Sequence, residues 1–211
     1  MAYRETEMMR ERKAQARQRI IECAWESVTT GGFRSARITQ IASMAGVATG
    51  SIYRHFESRE ELFAEMFRLA TQHEVDRVAQ ALTGPETAAQ QLENALRLFA
   101  ERALRAPTRA WALIAEPVDP KLDEERLVYR RAFARLFEGA IRDGVLDGSL
   151  PEQNARLAST SLVGAIAESL IGPLAQASPE PCEAADLKPN ELVDAIMQFC
   201  MQGLTGTRSQ P

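Results

Sequence analysis

Ile38-Thr-Gln-Ile-Ala-Ser-Met-Ala-Gly-Val-Ala-Thr-Gly-Ser-Ile-Tyr-Arg-His-Phe56 reads as two short helices broken by one glycine. Ile38, Ile41 and Ala42 fall at i, i+3 and i+4 and give one apolar stripe. Gly46 stands where that helix must stop, and glycine takes the left-handed conformation of a helix C-terminus without steric cost. Val47 restarts the pattern, and Ala48, Ile52 and Phe56 stack at i, i+4 and i+8. Thr49, Gly50, Ser51, Tyr53, Arg54 and His55 are left on the other faces. Short hydroxyls, a phenol and a fixed cation suit base edges and phosphates, so residues 37–56 are expected to be a helix-turn-helix that enters a DNA major groove.

The flanking residues complete a small helical unit. Ala16, Ile20, Cys23, Ala24, Ser27 and Val28 form one face of a first helix, which Gly31-Gly32 ends. Phe33 is expected to plug the core between the helices. Ser58-Arg-Glu-Glu61 is a capping box, with the Ser58 hydroxyl on the Glu61 amide and Glu61 reaching back. It opens a long fourth helix that runs to about Leu82.

These residues together resemble the TetR family of transcriptional regulators over roughly residues 12–70. The matching elements are Ala45-Gly46-Val47, Ser51-Ile-Tyr-Arg-His-Phe56 and Ser58-Arg-Glu-Glu-Leu62, with Gly32-Phe33 before them. The resemblance implies an all-α chain with two domains. Residues 1–58 would be a three-helix helix-turn-helix DNA-binding domain, and residues 59–206 a larger helical domain for ligand binding and dimerisation. It also implies a homodimer through the last two helices, a double-stranded operator as partner, and a small-molecule effector. Thr49, Ser51 and Tyr53 would meet bases and phosphates, and Gly50 would let the backbone approach the duplex. Arg54 and His55 would favour phosphate, Thr39 a base at the groove edge, and Arg59 the flanking backbone. One position departs from the family: Arg37 stands where a serine or threonine usually caps the second helix. A lost cap costs about 1 kcal/mol. Either Ser35 caps an earlier start, or Arg37 makes a phosphate contact in its place.

Charge divides along the same line. The net charge is −4, but residues 1–59 carry +4 and residues 60–211 carry −8. A basic head on an acidic body is expected when only the head meets phosphate, although Glu5, Glu7 and Glu11 interleave with the arginines. Cys23, Cys182 and Cys200 show no paired spacing, which fits reduced thiols in the cytoplasm. No secretory segment opens the chain, and no apolar run was expected to span a membrane.

In the rear portion, breakers place helices at about 86–105, 108–115, 122–142, 152–170 and 190–204, with Pro151 opening the fourth of these and an irregular connection at 178–189. Leu157, Ser161, Gly164 and Ala165 on one of the last two helices, and Phe199, Cys200 and Gly203 on the other, leave small-residue faces for a partner helix pair. Phe99, Trp111, Tyr129, Phe133 and Phe137, with Glu116 and Glu168 among the polar groups beside them, mark the expected ligand pocket; the same aromatics would equally serve as plain core. Glu168 sits in an apolar run and needs a partner, a ligand cation, water or the dimer interface. His55 and His73, the only histidines, lack metal-ligand spacing, and no phosphate loop or nucleophile elbow occurs. No catalytic residue, metal or cofactor is therefore expected. Two rival readings remain: a DNA-binding protein without an inducer, and a helical enzyme with an incidental helix-turn-helix.

Overall fold

A computed structural model of the chain describes residues 7–175 and 187–206. Cys182, most of the predicted connection 178–189 and most of the polar tail lie outside the described residues. Among the described residues there is no strand, and the helices are α1 Glu7–Ser35, α2 Ile38–Ala45, α3 Thr49–Ile52, α4 Arg59–Ala81, α5 Ala88–Arg105, α6 Pro107–Ile114, α7 Pro120–Leu146, α8 Ala155–Leu174 and α9 Pro189–Thr205. The all-α expectation holds.

The front unit forms for the reasons its sequence gives. Ile20, Ala24, Val28, Ile41, Ala42, Ile52 and Phe56 are buried together. Phe33 plugs them from the end of α1 and meets Phe63 of α4 edge-on at 5.4 Å. Ser58 caps α4, accepting from the Glu61 amide at 3.1 Å. Glu61 reaches back to the Glu57 amide, one residue earlier than a standard capping box. Arg17 of α1 pairs with Glu65 of α4 and lies over the Phe56 ring at 4.6 Å. This brace fixes the base of α3 against both long helices.

Gly46 closes α2 with φ 71° and ψ 28°, and the Val47 amide donates to the Ala42 carbonyl at 3.0 Å. A Cβ here would touch nothing within 4 Å. Replacing Gly46 by alanine therefore carries only the left-handed backbone penalty, about 1 kcal/mol. Urea unfolding should show that loss with an unchanged slope, and Gly46→Asn should lose less because asparagine tolerates this region better.

Three boundaries differ from the sequence reading. α1 does not end at Gly31-Gly32; Gly32 is a break with φ 73° and ψ 177°, after which one more turn runs to Ser35. α7 passes through Gly144, because the missing side chain lets Leu150 pack there: a Cβ would lie 2.7 Å from Leu150 Cδ1. Pro151 does not open α8; Asn154 does, its side chain accepting from the Leu157 amide at 3.0 Å.

α8 also corrects the expectation about apolar runs. This 20-residue helix holds an 18-residue window of mean hydropathy 1.4 and is long and apolar enough by composition to cross a membrane. In this fold it packs on α5, α6, α7 and α9, burying Leu162, Val163, Ile166, Ala167 and Leu170. One continuous core runs through the front and rear units, with α6 against α1 and α7 against α4.

Candidate nucleic-acid interface and ligand cleft

α3 is shorter than its apolar stripe predicts. The helix covers Thr49–Ile52, and its bonding continues as single turns, with the Arg54 amide on the Ser51 carbonyl and the His55 and Phe56 amides on Ile52. Ile52 and Phe56 face the core, whereas Ala48 stands outside it, at the N-cap. Thr49, Gly50, Tyr53 and Arg54 are exposed, Tyr53 by 52% although it is a large aromatic. Ser51 is half-buried. Gly50 has open space where a Cβ would stand. The isolated fold thus does not demand glycine there.

At the head of α2, Arg37 occupies the N-cap without a side-chain bond, as its residue type predicts. Its carbonyl accepts from the Gln40 and Ile41 amides, and Arg37 and Thr39 are exposed. Two other residues lie differently from expectation. His55 has its Nδ1 buried with no hydrogen-bond partner among the described residues. Burial first, then Lys13 and Arg17, hold its pKa below the ordinary imidazole value, so at neutral pH it offers no cation to phosphate. Arg59 donates to the Phe33 carbonyl at 3.2 Å and lies over the Phe63 ring at 4.5 Å. Its guanidinium already braces α1 to α4.

In the rear unit, Tyr129, Phe133 and Phe137 line one side of α7. Phe133 meets Tyr129 at 4.6 Å and Phe99 at 5.2 Å, both edge-on. Between this ladder and α8 lies a narrow apolar cleft with a cavity volume of about 30 Å³, walled by Phe99, Phe133, Phe137, Val163, Ile166 and Ala167. Arg126 and Arg130 also line it, and Arg130 makes no ion pair among the described residues. A second cleft, also with a cavity volume of about 30 Å³, shares Phe99, Leu113, Ile114 and Tyr129 with the first. It carries the polar groups: the Arg102–Glu74 pair at 2.7 Å, and Arg109. Tyr129, between them, is buried, and that burial pushes its phenol pKa well up, so it stays protonated.

Phe99, Tyr129, Phe133 and Phe137 therefore come together as the sequence suggested, but three candidates do not join them. Trp111 is half-buried outside both linings. Glu168 is exposed on α8. Glu116 is only 4% exposed, yet it faces α1: its carboxylate accepts from the Phe33 amide at 2.9 Å and the Arg34 amide at 3.0 Å. Its demand for partners is met by backbone N–H groups freed at the Gly32 break. Arg126 and Arg130 were missed. The signal was present, because Arg126, Tyr129, Phe133 and Phe137 fall at i, i+3, i+7 and i+11, a single helical stripe.

α8 and α9 leave a groove lined by Leu157, Ala158, Ser161, Ala165, Phe199 and Gly203. Leu157 is 64% exposed and Phe199 67%. Cys200 beside them is buried, and burial raises its thiol pKa, as it does that of Cys23; neither favours thiolate chemistry.

Residues 20–66 match the model of the bacterial regulatory proteins of the tetR family. The chain is 25% identical over 158 residues to the fatty acid metabolism regulator protein of Bacillus subtilis, covering 71% of this chain and 79% of that one. It is 27% identical over 141 residues to the HTH-type transcriptional repressor KstR2 of Rhodococcus jostii, covering 65% and 69%. The crystal structure of the transcriptional regulator FadR from Bacillus subtilis in complex with stearoyl-CoA superposes with a TM-score of 0.71, at 19% identity, over 89% of this chain and 98% of that one. A glycine-hinged helix pair displaying Thr49, Tyr53 and Arg54 on a shared core with a helical rear unit agrees with all of these: residues 20–66 are a tetR-family DNA-binding region, and the chain as a whole is similar to TetR-family transcriptional regulators.

Proposed function

We propose that the protein is a cytoplasmic homodimeric repressor, released from its operator by an amphiphile with a long apolar tail and an anionic head, a fatty acyl thioester of coenzyme A being the class. Residues 1–58 form the reading unit and 59–206 the sensing unit. The observation that carries this reading is the cleft itself: an aromatic and aliphatic slot with arginines Arg126 and Arg130 on its lining, in a chain whose front reads DNA. Apolar walls take a tail, and guanidinium groups take carboxylate or phosphate oxygens. The relatives named as fatty acid regulators support the same class.

The test is a chain-length series from octanoyl-CoA to stearoyl-CoA, read by release of an operator selected from random duplexes. Each buried methylene contributes about 0.8 kcal/mol, so affinity should rise about fourfold per methylene until the slot is full. Release by coenzyme A alone, or no release by any chain length, would remove the acyl reading.

On the DNA side, Tyr53 and Thr49 read bases, Gly50 admits the sugar-phosphate edge, and Arg37 and Arg54 hold phosphates. Arg54→Ala should weaken binding to operator and random duplex alike, and lower the salt slope by about one per protomer. A loss confined to the operator would reassign Arg54 to base reading. His55 and Arg59 act by positioning, since neither presents a free cation.

A further inference from the structure

The Glu116 carboxylate lies between the two functional units and belongs to neither cleft. It sits against Gly32: a Cβ at that position would lie 2.8 and 2.9 Å from its two oxygens. The left-handed break at Gly32 aims two successive amides, Phe33 and Arg34, at those oxygens. Phe33 in turn gives its carbonyl to Arg59 at the start of α4. Whatever moves Glu116 therefore moves the joint between α1 and α4, on which α3 is mounted.

Glu116 is held from behind by one side chain. Arg126, 8% exposed, donates from Nη2 to the carbonyls of Ala112 (2.8 Å) and Glu116, and from Nε to Leu113 (3.3 Å). Its other terminal nitrogen, Nη1, meets Asp123 at 2.9 Å. The guanidinium is the cation that satisfies the orphan carbonyls at the end of α6. The same side chain lines the ligand cleft, next to Arg130. One buried cation thus faces two sets of anionic or dipolar acceptors: the α6 carbonyls, and whatever charged group enters the cleft.

We propose that Arg126 and Glu116 couple the cleft to the reading head. An anionic group in the cleft draws the Arg126 guanidinium off the α6 carbonyls. The segment after Ile114 then loses its anchor, and the Glu116 carboxylate leaves the Phe33 and Arg34 amides. Freed at Gly32, the head no longer holds the orientation that the operator selects, so ligand and operator oppose each other by a shared coupling free energy. Glu116 and Arg126 are positioning residues here; neither touches DNA. The stimulus rests on the anionic amphiphile proposed above, whereas the relay is a property of the protein and can be tested without it.

The experiment is amide exchange of the full chain, read at Phe33 and Arg34 by NMR. In Arg126→Lys these two amides should exchange about tenfold faster than in the unsubstituted protein, although residue 126 does not touch them, while amides at Ile20–Val28 stay protected. Glu116→Gln should accelerate them as well. In the unsubstituted protein, saturating stearoyl-CoA should produce the same acceleration. If Glu116→Gln speeds exchange and Arg126→Lys does not, Glu116 is a local staple and the relay is overturned. It is equally overturned if stearoyl-CoA binds and the two amides stay as slow as before. Should stearoyl-CoA fail to bind at all, the acyl reading falls, and Arg126→Lys, or Arg126→Met if the lysine variant does not fold, decides the relay by itself.

Discussion

A Phe199→Glu exchange is expected to leave the protein monomeric and to cut operator affinity at least about 100-fold. Phe199 is two-thirds exposed on α9, facing Leu157, Ala158, Ser161 and Ala165 across the α8–α9 groove. Two large apolar side chains standing in water over a bed of small residues form a face that another helix pair can approach closely. Gly164 and Gly203 also have open space where a Cβ would stand. In a two-fold interface each patch is used twice, so one substitution buries two carboxylates, each costing several kcal/mol unless paired. The effect on DNA is larger than the loss of contacts. Two tethered reading heads bind the second half-site at an effective concentration in the millimolar range, and separation removes that advantage. Sedimentation equilibrium and operator titration check both parts. Binding to an isolated half-site should be unchanged, because Thr49, Tyr53 and Arg54 are untouched. A variant that stays dimeric while keeping full affinity would show that the interface lies elsewhere.

What the sequence made legible follows from how local each determinant is. The helix pair at 38–56, the left-handed Gly46, the Ser58 cap and the Phe33 plug are all set by neighbours within a few positions, and each was found where the residues placed it. The missing cap at Arg37 was legible for the same reason. Errors arose where a distant contact decides. Gly144 looked like a helix end because glycine usually is one, but Leu150 needs that gap inside α7. Pro151 lost the start of α8 to the Asn154 side chain. Glu116 looked like a pocket residue because it lies near Trp111 and is flanked by apolar positions. Its partners are amides more than eighty positions away, and no pattern in one sequence signals that. Arg126 and Arg130 could have been assigned from their stripe on α7, had arginine been weighed as a cleft residue beside the aromatics.

The second large effect is expected from Ala167→Phe, which should abolish release from the operator while leaving operator affinity within about twofold. Ala167 lies on α8 with Val163 and Ile166, and these three face Phe133 and Phe137 across the cleft. A benzyl group in place of a methyl fills the part of the slot that a tail would occupy. Overpacking a finished core costs about 1–3 kcal/mol, and the added ring exceeds the cleft's cavity volume of about 30 Å³, so the stability loss should fall at the high end. An acyl chain denied roughly four methylenes of burial loses about 3 kcal/mol, or more than 100-fold in affinity. Operator binding is the internal control, because a misfolded rear unit would disturb the continuous core that supports α1 and α4. Arg126 and Glu116 are left in place, so the head should remain in its operator-competent orientation at any acyl-CoA concentration. Operator-bound fluorescence anisotropy with and without stearoyl-CoA reads both quantities in one titration. If Ala167→Phe still releases DNA at the concentration that releases the unsubstituted protein, the ligand does not occupy this cleft. The tail would then have to be sought in the second cleft, between Glu74, Arg102 and Arg109.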